Sequence, residues 1–131
     1  MKEELLALIK YRLKEAEESL EEAKILLREN MSNRAIANRL YYAMFYAVLA
    51  LLQEKQIGTS KHSGVLSAFD REFIKLGILD KKLSKTLHQA FKLRQKGDYI
   101  EQVEISKEDI DELLPDVKNF VTIIKKHLLK Q

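Results

Sequence analysis

The sequence predicts an all-α protein: an up-and-down bundle of four to five helices around a central all-apolar helix, in one domain over residues 1–131. Two observations predict this class. Residues 40–52, LYYAMFYAVLALL, contain neither a charge nor a helix breaker. On both sides of this run, apolar residues recur at alternating steps of three and four, the spacing of amphipathic helices. No strand pattern competes with them.

The first helix carries a single apolar stripe on an otherwise charged surface. Since the remaining faces are mostly Glu and Lys, this helix should lie on the outside of the bundle with its stripe inward. Its alanines would allow a bulky neighbour to approach closely. Asn30, Met31 and Ser32 interrupt the pattern, and Ser32 or Asn33 is the predicted N-cap of the second helix. The stripe consists of Leu6, Ile9, Leu13, Ala16, Leu20, Ala23 and Leu27.

The second helix is predicted over residues 33–56 and contains the apolar run. A helix turns every 3.6 residues, so thirteen consecutive apolar positions leave no polar face. The run is too short to span a bilayer, which needs about 20 residues. We therefore expect protein to surround it, including a second copy of the chain. The predicted dimer interface is Tyr41, Tyr42, Phe45, Tyr46 and Leu49.

Two shorter helices should follow as a hairpin. Gly58 is predicted to end the second helix in the left-handed conformation, with Thr59 or Ser60 capping the third. The third helix would continue through Phe73 and Leu76 until Gly77 stops it. Asp80 would cap a fourth helix that ends at Gly97 and points Leu83, Leu87, Ala90 and Phe91 inward.

The last helix should begin after a loop over residues 98–105. Ser106 and Asp109 have the spacing of a capping box. Apolar residues then recur from Ile110 to Leu128. Pro115 lies too far inside to be a first-turn proline, so it should kink the helix near Asp111 or break it there.

The composition limits the kinds of catalytic, metal and binding site that the chain can form. Cysteine is absent, which excludes disulfides and thiol catalysis, and no histidine and carboxylate have metal-ligand spacing, so we predict no metal and no cofactor. The charged N-terminus lacks the features of a signal peptide, so a cytoplasmic, non-membrane protein is expected. Residues 57–96 hold nine basic and three acidic residues. Such a segment can attract nucleotide or nucleic acid, although solvated lysines on an exposed hairpin explain it equally well.

The hairpin geometry predicts a site for an anion. Antiparallel third and fourth helices would bring the end of one beside the start of the other, where free backbone N–H groups favour anions. The predicted ligand-binding residues are Ser60, Lys61, His62, Arg94, Lys96, Asp98 and Tyr99. Alternatively, Ser60 is only a cap, Arg94 pairs with Asp98, and His62 is an ordinary surface residue. Arg39 should lie about 25 Å from Lys61 along the helix axis, so only a partner chain could bring it to this site.

The other aromatic and histidine side chains are expected to be structural. Tyr41, Tyr42 and Tyr46 could stack on bases, but within the apolar run they should belong to the core or interface. His88 lies in mid-helix, and His127 lies in a last turn, where a cation suits the helix dipole.

At NRAIANRLYYAMFYAVLALL, KHSGVLSAFDREFIKLGIL and LRQKGDY, the chain resembles the HEPN domains, small prokaryotic helical proteins often encoded beside a minimal nucleotidyltransferase. The resemblance covers nearly the whole chain. It implies a four- or five-helix bundle, a homodimer formed through the helices, and binding of nucleotide or RNA, frequently within a toxin–antitoxin system.

Ribonucleases of that family use an arginine followed, after four to six residues, by a histidine. Arg94 matches the arginine, but no histidine follows, and Asp98 and Tyr99 stand near its place. An aspartate cannot replace imidazole as a general acid at neutral pH unless its pKa is strongly raised. We therefore expect binding rather than cleavage. Two alternatives stay open: a metal-independent endoribonuclease with catalytic candidates His62, Arg94 and Asp98, and a protein-interaction module that binds no nucleic acid.

Overall fold

The computed structural model describes residues 2–59, 61–99 and 104–129, with only the backbone of residues 97–99. These residues form five α-helices and contain no strand, so the predicted all-helical bundle is confirmed. The helices are α1 (Glu3–Arg28), α2 (Asn33–Glu54), α3 (His62–Phe69), α4 (Lys81–Tyr99) and α5 (Lys107–Leu128), and a π-helical turn, Asp70–Ile74, follows α3.

Helix α2 is the centre of the bundle and packs against each of the other four helices, most extensively against α1. Ala43, Ala47 and Ala50 are completely buried, and their small side chains allow the neighbouring helices to approach closely. With 22 residues, α2 is long and apolar enough to cross a membrane, contrary to the prediction made from the shorter apolar run. However, 67% of its most apolar window is buried inside the bundle, as expected of a core helix.

Several helix ends have the predicted caps. The Ser32 hydroxyl accepts a hydrogen bond from the Ala35 amide at 3.1 Å, and Asp80 accepts one from the Lys82 amide at 2.8 Å. Ser106 and Asp109 form both bonds of a capping box. Gly77 has a φ of 75°, so it closes the turn before α4 in the left-handed conformation.

Other helix boundaries differ from the predictions. Gln56, with a φ of 58°, takes the left-handed conformation after α2 in place of Gly58. Lys61 occupies the N-cap position of α3, and its side chain makes no capping bond. Helix α4 continues to Tyr99 instead of ending at Gly97.

Pro115 does not break the last helix. Helix α5 runs without interruption from Lys107 to Leu128, with Pro115 inside it and exposed. On the opposite face, Ile110 and Leu113 before the proline and Val117 and Phe120 after it are buried in the core. Burial on both sides stabilises the helix by more than the hydrogen bond lost at the proline.

Helix α3 runs in the same direction as α2. His62, at its start, stacks on Phe45 in the middle of α2, and Phe73, in the π-helical turn, lies 4.9 Å from Lys55 Nζ at the end of α2. Between the end of α2 and the start of α3, the chain therefore comes back by the length of about ten residues of α2, about 15 Å. A connection of seven residues can span up to about 23 Å, which is more than this distance. This return brings the start of α3 beside the aromatic part of α2.

Candidate functional site

His62 lies against the aromatic surface of α2. Its ring stacks on Phe45, with centroids 4.4 Å apart, and its Nδ1 is 2.7 Å from the Tyr41 hydroxyl. Tyr41 and Phe45 are four residues apart, so they share one helix face and together receive the imidazole. His62 is therefore partly buried and held by a ring stack and a hydrogen bond.

Arg94 reaches the same aromatic surface from α4. Its Cζ lies 5.0 Å from the centroid of the Tyr41 ring and 5.8 Å from that of Phe91, within the range of cation–π attraction. Its Nη1 donates a hydrogen bond to the Tyr42 hydroxyl at 3.2 Å. The predicted convergence of His62 and Arg94 is thus present, and Tyr41 contacts both of them.

Arg39 belongs to the same cluster within one chain. Its Cζ lies 5.3 Å from the centroid of the Tyr42 ring, and the Cζ of Arg94 lies 5.7 Å from that centroid. The expectation that only a partner chain could bring Arg39 here is wrong, because it assumed that α3 starts at the far end of α2. Arg39 and Tyr42 are three residues apart, so they share one face of α2. This spacing was the sequence signal that could have placed Arg39 in the cluster.

The surroundings shift the pKa values of two side chains in this cluster, His62 and Tyr41. Burial, and secondarily the positive charge of Arg94, lowers the pKa of His62 below its usual 6.5, so its imidazole is neutral at pH 7. Burial raises the pKa of Tyr41, so its hydroxyl keeps its proton. A neutral imidazole bonded to a protonated phenol can accept or donate a proton, and Arg94 adds a fixed positive charge beside it.

The other predicted ligand-binding residues are exposed or lie outside the described residues. Lys61 and Lys96 are exposed. Ser60 and the side chains of Asp98 and Tyr99 lie outside the described residues. The described side chains that lie together are Tyr41, Tyr42, His62, Arg94 and Arg39. Of these, only His62 and Arg94 belong to the predicted ligand-binding set.

The five predicted interface residues divide into two groups. Tyr41 and Phe45 are 0% and 7% exposed within the single chain. Tyr42, Tyr46 and Leu49 are half-buried, on the outward strip of α2. Burial also raises the pKa of the Tyr46 hydroxyl, with Glu15 of α1 as a further cause.

A second polar cluster was not predicted as a unit. His88 Nε2 lies 2.7 Å from Asp70 Oδ2, and the Ser84 hydroxyl donates to Asp70 Oδ1 at 2.6 Å. These bonds join the π-helical turn to α4, which gives His88 a structural role. Among the described residues, no three His, Asp or Glu side chains are grouped closely enough to hold a metal ion.

The fold and this site define a small helical-bundle protein with cationic and aromatic side chains gathered on one face. The model of the HEPN domain family matches residues 9–128. The chain belongs to the HEPN domain family, and the resemblance seen in the sequence is confirmed.

Three curated relatives match along most of their length. A protein named "UPF0332 protein" from Thermotoga maritima is 43% identical over 119 residues, which cover 91% of this chain and 89% of the relative. "Putative toxin MJ0142" of Methanocaldococcus jannaschii is 41% identical, over 91% of this chain and 80% of its own length. "Putative toxin MJ0605" of the same organism is 34% identical, over 98% and 91% respectively.

Proposed function

We propose that this HEPN protein is the toxin-type component of a toxin–antitoxin system and binds the phosphates of nucleotide or RNA through Arg94. The observation that carries the proposal is the position of Arg94, held against the rings of Tyr41, Tyr42 and Phe91 beside His62. A guanidinium fixed by aromatic contacts loses little freedom when it binds a phosphate. The two relatives named as toxins support the toxin–antitoxin context.

The binding surface combines the two chemistries that single-stranded nucleic acid needs. Cationic groups pair with phosphates, and aromatic rings stack on bases. Here Arg94 supplies the charge, with the exposed Lys61 at the N-cap position of α3. Tyr42, half-buried beside Arg94, offers a ring.

The test measures binding of short single-stranded RNA and of ATP to the purified protein by fluorescence anisotropy and thermal shift. Arg94→Ala should weaken binding about tenfold or more, and Lys61→Ala less. Arg71→Ala is the matched control, because Arg71 is an exposed arginine paired with Glu72 at 2.9 Å on the π-helical turn. Unchanged affinity in both Arg94→Ala and Lys61→Ala would refute the site. Affinity for a protein partner that is equal at low and high salt, without RNA binding, would favour a pure interaction module.

We propose further that the protein is a cytoplasmic homodimer that works with a minimal nucleotidyltransferase partner. Tyr42, Tyr46 and Leu49 form a half-buried aromatic and aliphatic strip on α2, and α1 exposes Leu8 and Tyr11. A monomer in light scattering at micromolar concentration would contradict the dimer, and Leu49→Glu should dissociate it.

Metal-independent cleavage of RNA is the second candidate. It is favoured by one observation: His62, with its lowered pKa, lies beside Arg94 although no histidine follows Arg94 in the sequence. A neutral imidazole would take the proton of a 2′-hydroxyl, and the 2′-oxygen would attack the phosphorus while Arg94 binds the phosphate. The bond from phosphorus to the 5′-oxygen would break, and the imidazolium would return the proton to that oxygen, which leaves a 2′,3′-cyclic phosphate and a 5′-hydroxyl. Loss of cleavage in His62→Gln with RNA binding retained would support this activity. Intact RNA after prolonged incubation with the protein free of partners would count against it.

A further inference from the structure

Arg39 and Arg94 share one aromatic residue although they come from different helices. The Arg39 Cζ is 5.3 Å from the Tyr42 ring centroid, and the Arg94 Cζ is 5.7 Å from it. Arg94 also donates to the Tyr42 hydroxyl at 3.2 Å. Since the two Cζ atoms lie 5.3 and 5.7 Å from the same centroid, they are at most about 11 Å apart, so both guanidinium groups can bind linked phosphates of a single ligand.

The guanidinium of Arg39 is held in a fixed orientation. Its Nε and Nη2 donate to Asn38 Oδ1 at 3.1 and 2.9 Å, and its Nη1 donates to Glu22 Oε1 at 3.1 Å. A guanidinium has five N–H groups, so within the described part of the chain these three bonds leave N–H donors of Arg39 for a ligand. The Arg39 side chain is 30% exposed, so solvent and ligands can reach it.

The carboxylate that pairs with Arg39 is a weak competitor. Glu22 is 55% exposed, and an exposed ion pair of this kind contributes little to stability. The phosphate chain of a nucleoside di- or triphosphate carries more negative charge than a carboxylate, and an RNA presents several linked phosphates, so either ligand can displace Glu22. Glu22 therefore occupies the arginine when no ligand is bound and reduces the affinity for ligands.

From this geometry we infer that Arg39 is a second phosphate-binding residue of the site, so the preferred ligand carries at least two linked phosphates. The inference rests on the proposed function of Arg94. It names a ligand class: an oligonucleotide or a nucleoside di- or triphosphate binds both arginines, whereas a nucleoside monophosphate binds Arg94 alone. Tyr42 fixes the spacing between the two cations.

The test compares AMP, ATP and a hexauridylate RNA on the wild-type protein and on Arg39→Ala. ATP and the RNA should bind wild type more tightly than AMP does. Arg39→Ala should weaken ATP and RNA about tenfold and leave AMP unchanged. For the RNA, the slope of log affinity against log salt should fall by about 0.7, the contribution of one phosphate contact. Arg39→Lys should restore part of the affinity.

A second comparison tests whether Glu22 competes with the ligand for Arg39. Glu22→Gln should tighten ATP binding a few-fold in the wild type and have no effect in Arg39→Ala. Glu17→Gln is the matched control, since Glu17 lies on the same helix, is half-exposed and pairs with Lys125 at 2.9 Å. Equal gains from Glu17→Gln and Glu22→Gln would mean that only net charge matters, which overturns the role of Glu22.

The outcomes separate this inference from the function on which it rests. If wild type binds AMP and ATP equally, or if Arg39→Ala weakens all three ligands alike, the two-phosphate site is refuted while Arg94 binding stands. If Arg39→Ala lowers only the melting temperature, Arg39 is structural and the inference fails. If wild type binds none of the three ligands, the proposed function fails with it.

Discussion

The hydroxyl of Tyr41 lies 2.7 Å from Nδ1 of His62 and joins the central helix to the first turn of α3. Tyr41 is completely buried, and the His62 ring stacks on it and on Phe45. The candidate site is thus built on the core of the bundle, so changes in this bond should appear both in stability and in the acid–base behaviour of His62.

Tyr41→Phe removes the hydroxyl and keeps the ring. The free energy of unfolding should fall by about 1–2 kcal/mol, because the partly buried His62 loses a hydrogen bond. Urea denaturation measures the change. Tyr11→Phe is the control, since Tyr11 is 56% exposed on α1 and should change stability by less than about 0.5 kcal/mol. Equal stability of the two variants would show that the bond contributes nothing.

Stability should fall in acid through His62. Burial and Arg94 lower the pKa of His62 in the folded state, so the unfolded chain binds its proton more readily. The contribution is therefore fully present above pH 6.5, the unfolded value, and is lost as the pH falls toward the lower folded pKa. Urea denaturation between pH 7.5 and 5 should show less loss in His62→Gln than in wild type.

His88→Gln is the control for this pH series, because His88 pairs with Asp70 away from the aromatic cluster. Among the described side chains, Tyr41 and Tyr42 of α2 and Arg94 of α4 face His62. An NMR titration that places the pKa of His62 above 6.5 would contradict the prediction.

Pro115→Ala should stabilise the protein. Pro115 is exposed inside a continuous helix, where it removes a backbone hydrogen bond. Alanine restores the donor and has the highest helix propensity, although the unfolded chain gains freedom. The expected gain is about 2 kcal/mol by urea denaturation. The control is Asp116→Ala at the adjacent exposed position, which should change stability much less. A Pro115→Ala variant that is less stable than wild type would mean that α5 depends on the proline.

The alanines of the α1 stripe should not tolerate larger side chains. Ala16 is completely buried in the core that α1 shares with α2, so Ala16→Leu should cost about 1–3 kcal/mol through overpacking. Ala7→Leu on the exposed face of the same helix is the matched control and should be nearly neutral. Differential scanning calorimetry of the two variants measures the difference, and similar melting temperatures would indicate a loosely packed α1–α2 contact.

Much of the fold follows from local signals. The stripe of α1 contains Ile9, Leu13 and Ala16, which are buried as predicted, and the Ser106 and Asp109 capping box forms where its spacing indicates. Both signals depend on residues within one or two turns of each other. Gly77 is also a local signal, because its positive φ ends the π-helical segment.

The candidate site was only partly predictable, because it depends on the path of residues 55–61. The antiparallel arrangement of α3 and α4 was enough to predict that His62 lies near Arg94. It could not place either residue against Tyr41 and Tyr42, because that depends on where α3 begins relative to α2. For the same reason Arg39 was assigned to a partner chain.

By itself, the sequence determined the helices, the all-apolar centre at residues 40–52 and the capped helix starts, because periodicity and capping are properties of neighbouring residues. Only the tertiary structure decided that the connection returns along α2, that Gln56 rather than Gly58 turns left-handed, and that Pro115 stays within a helix. These outcomes depend on burial summed over several helices. The cluster of Arg39, Tyr42 and Arg94 has the same origin, since its members meet only once α4 packs against α2.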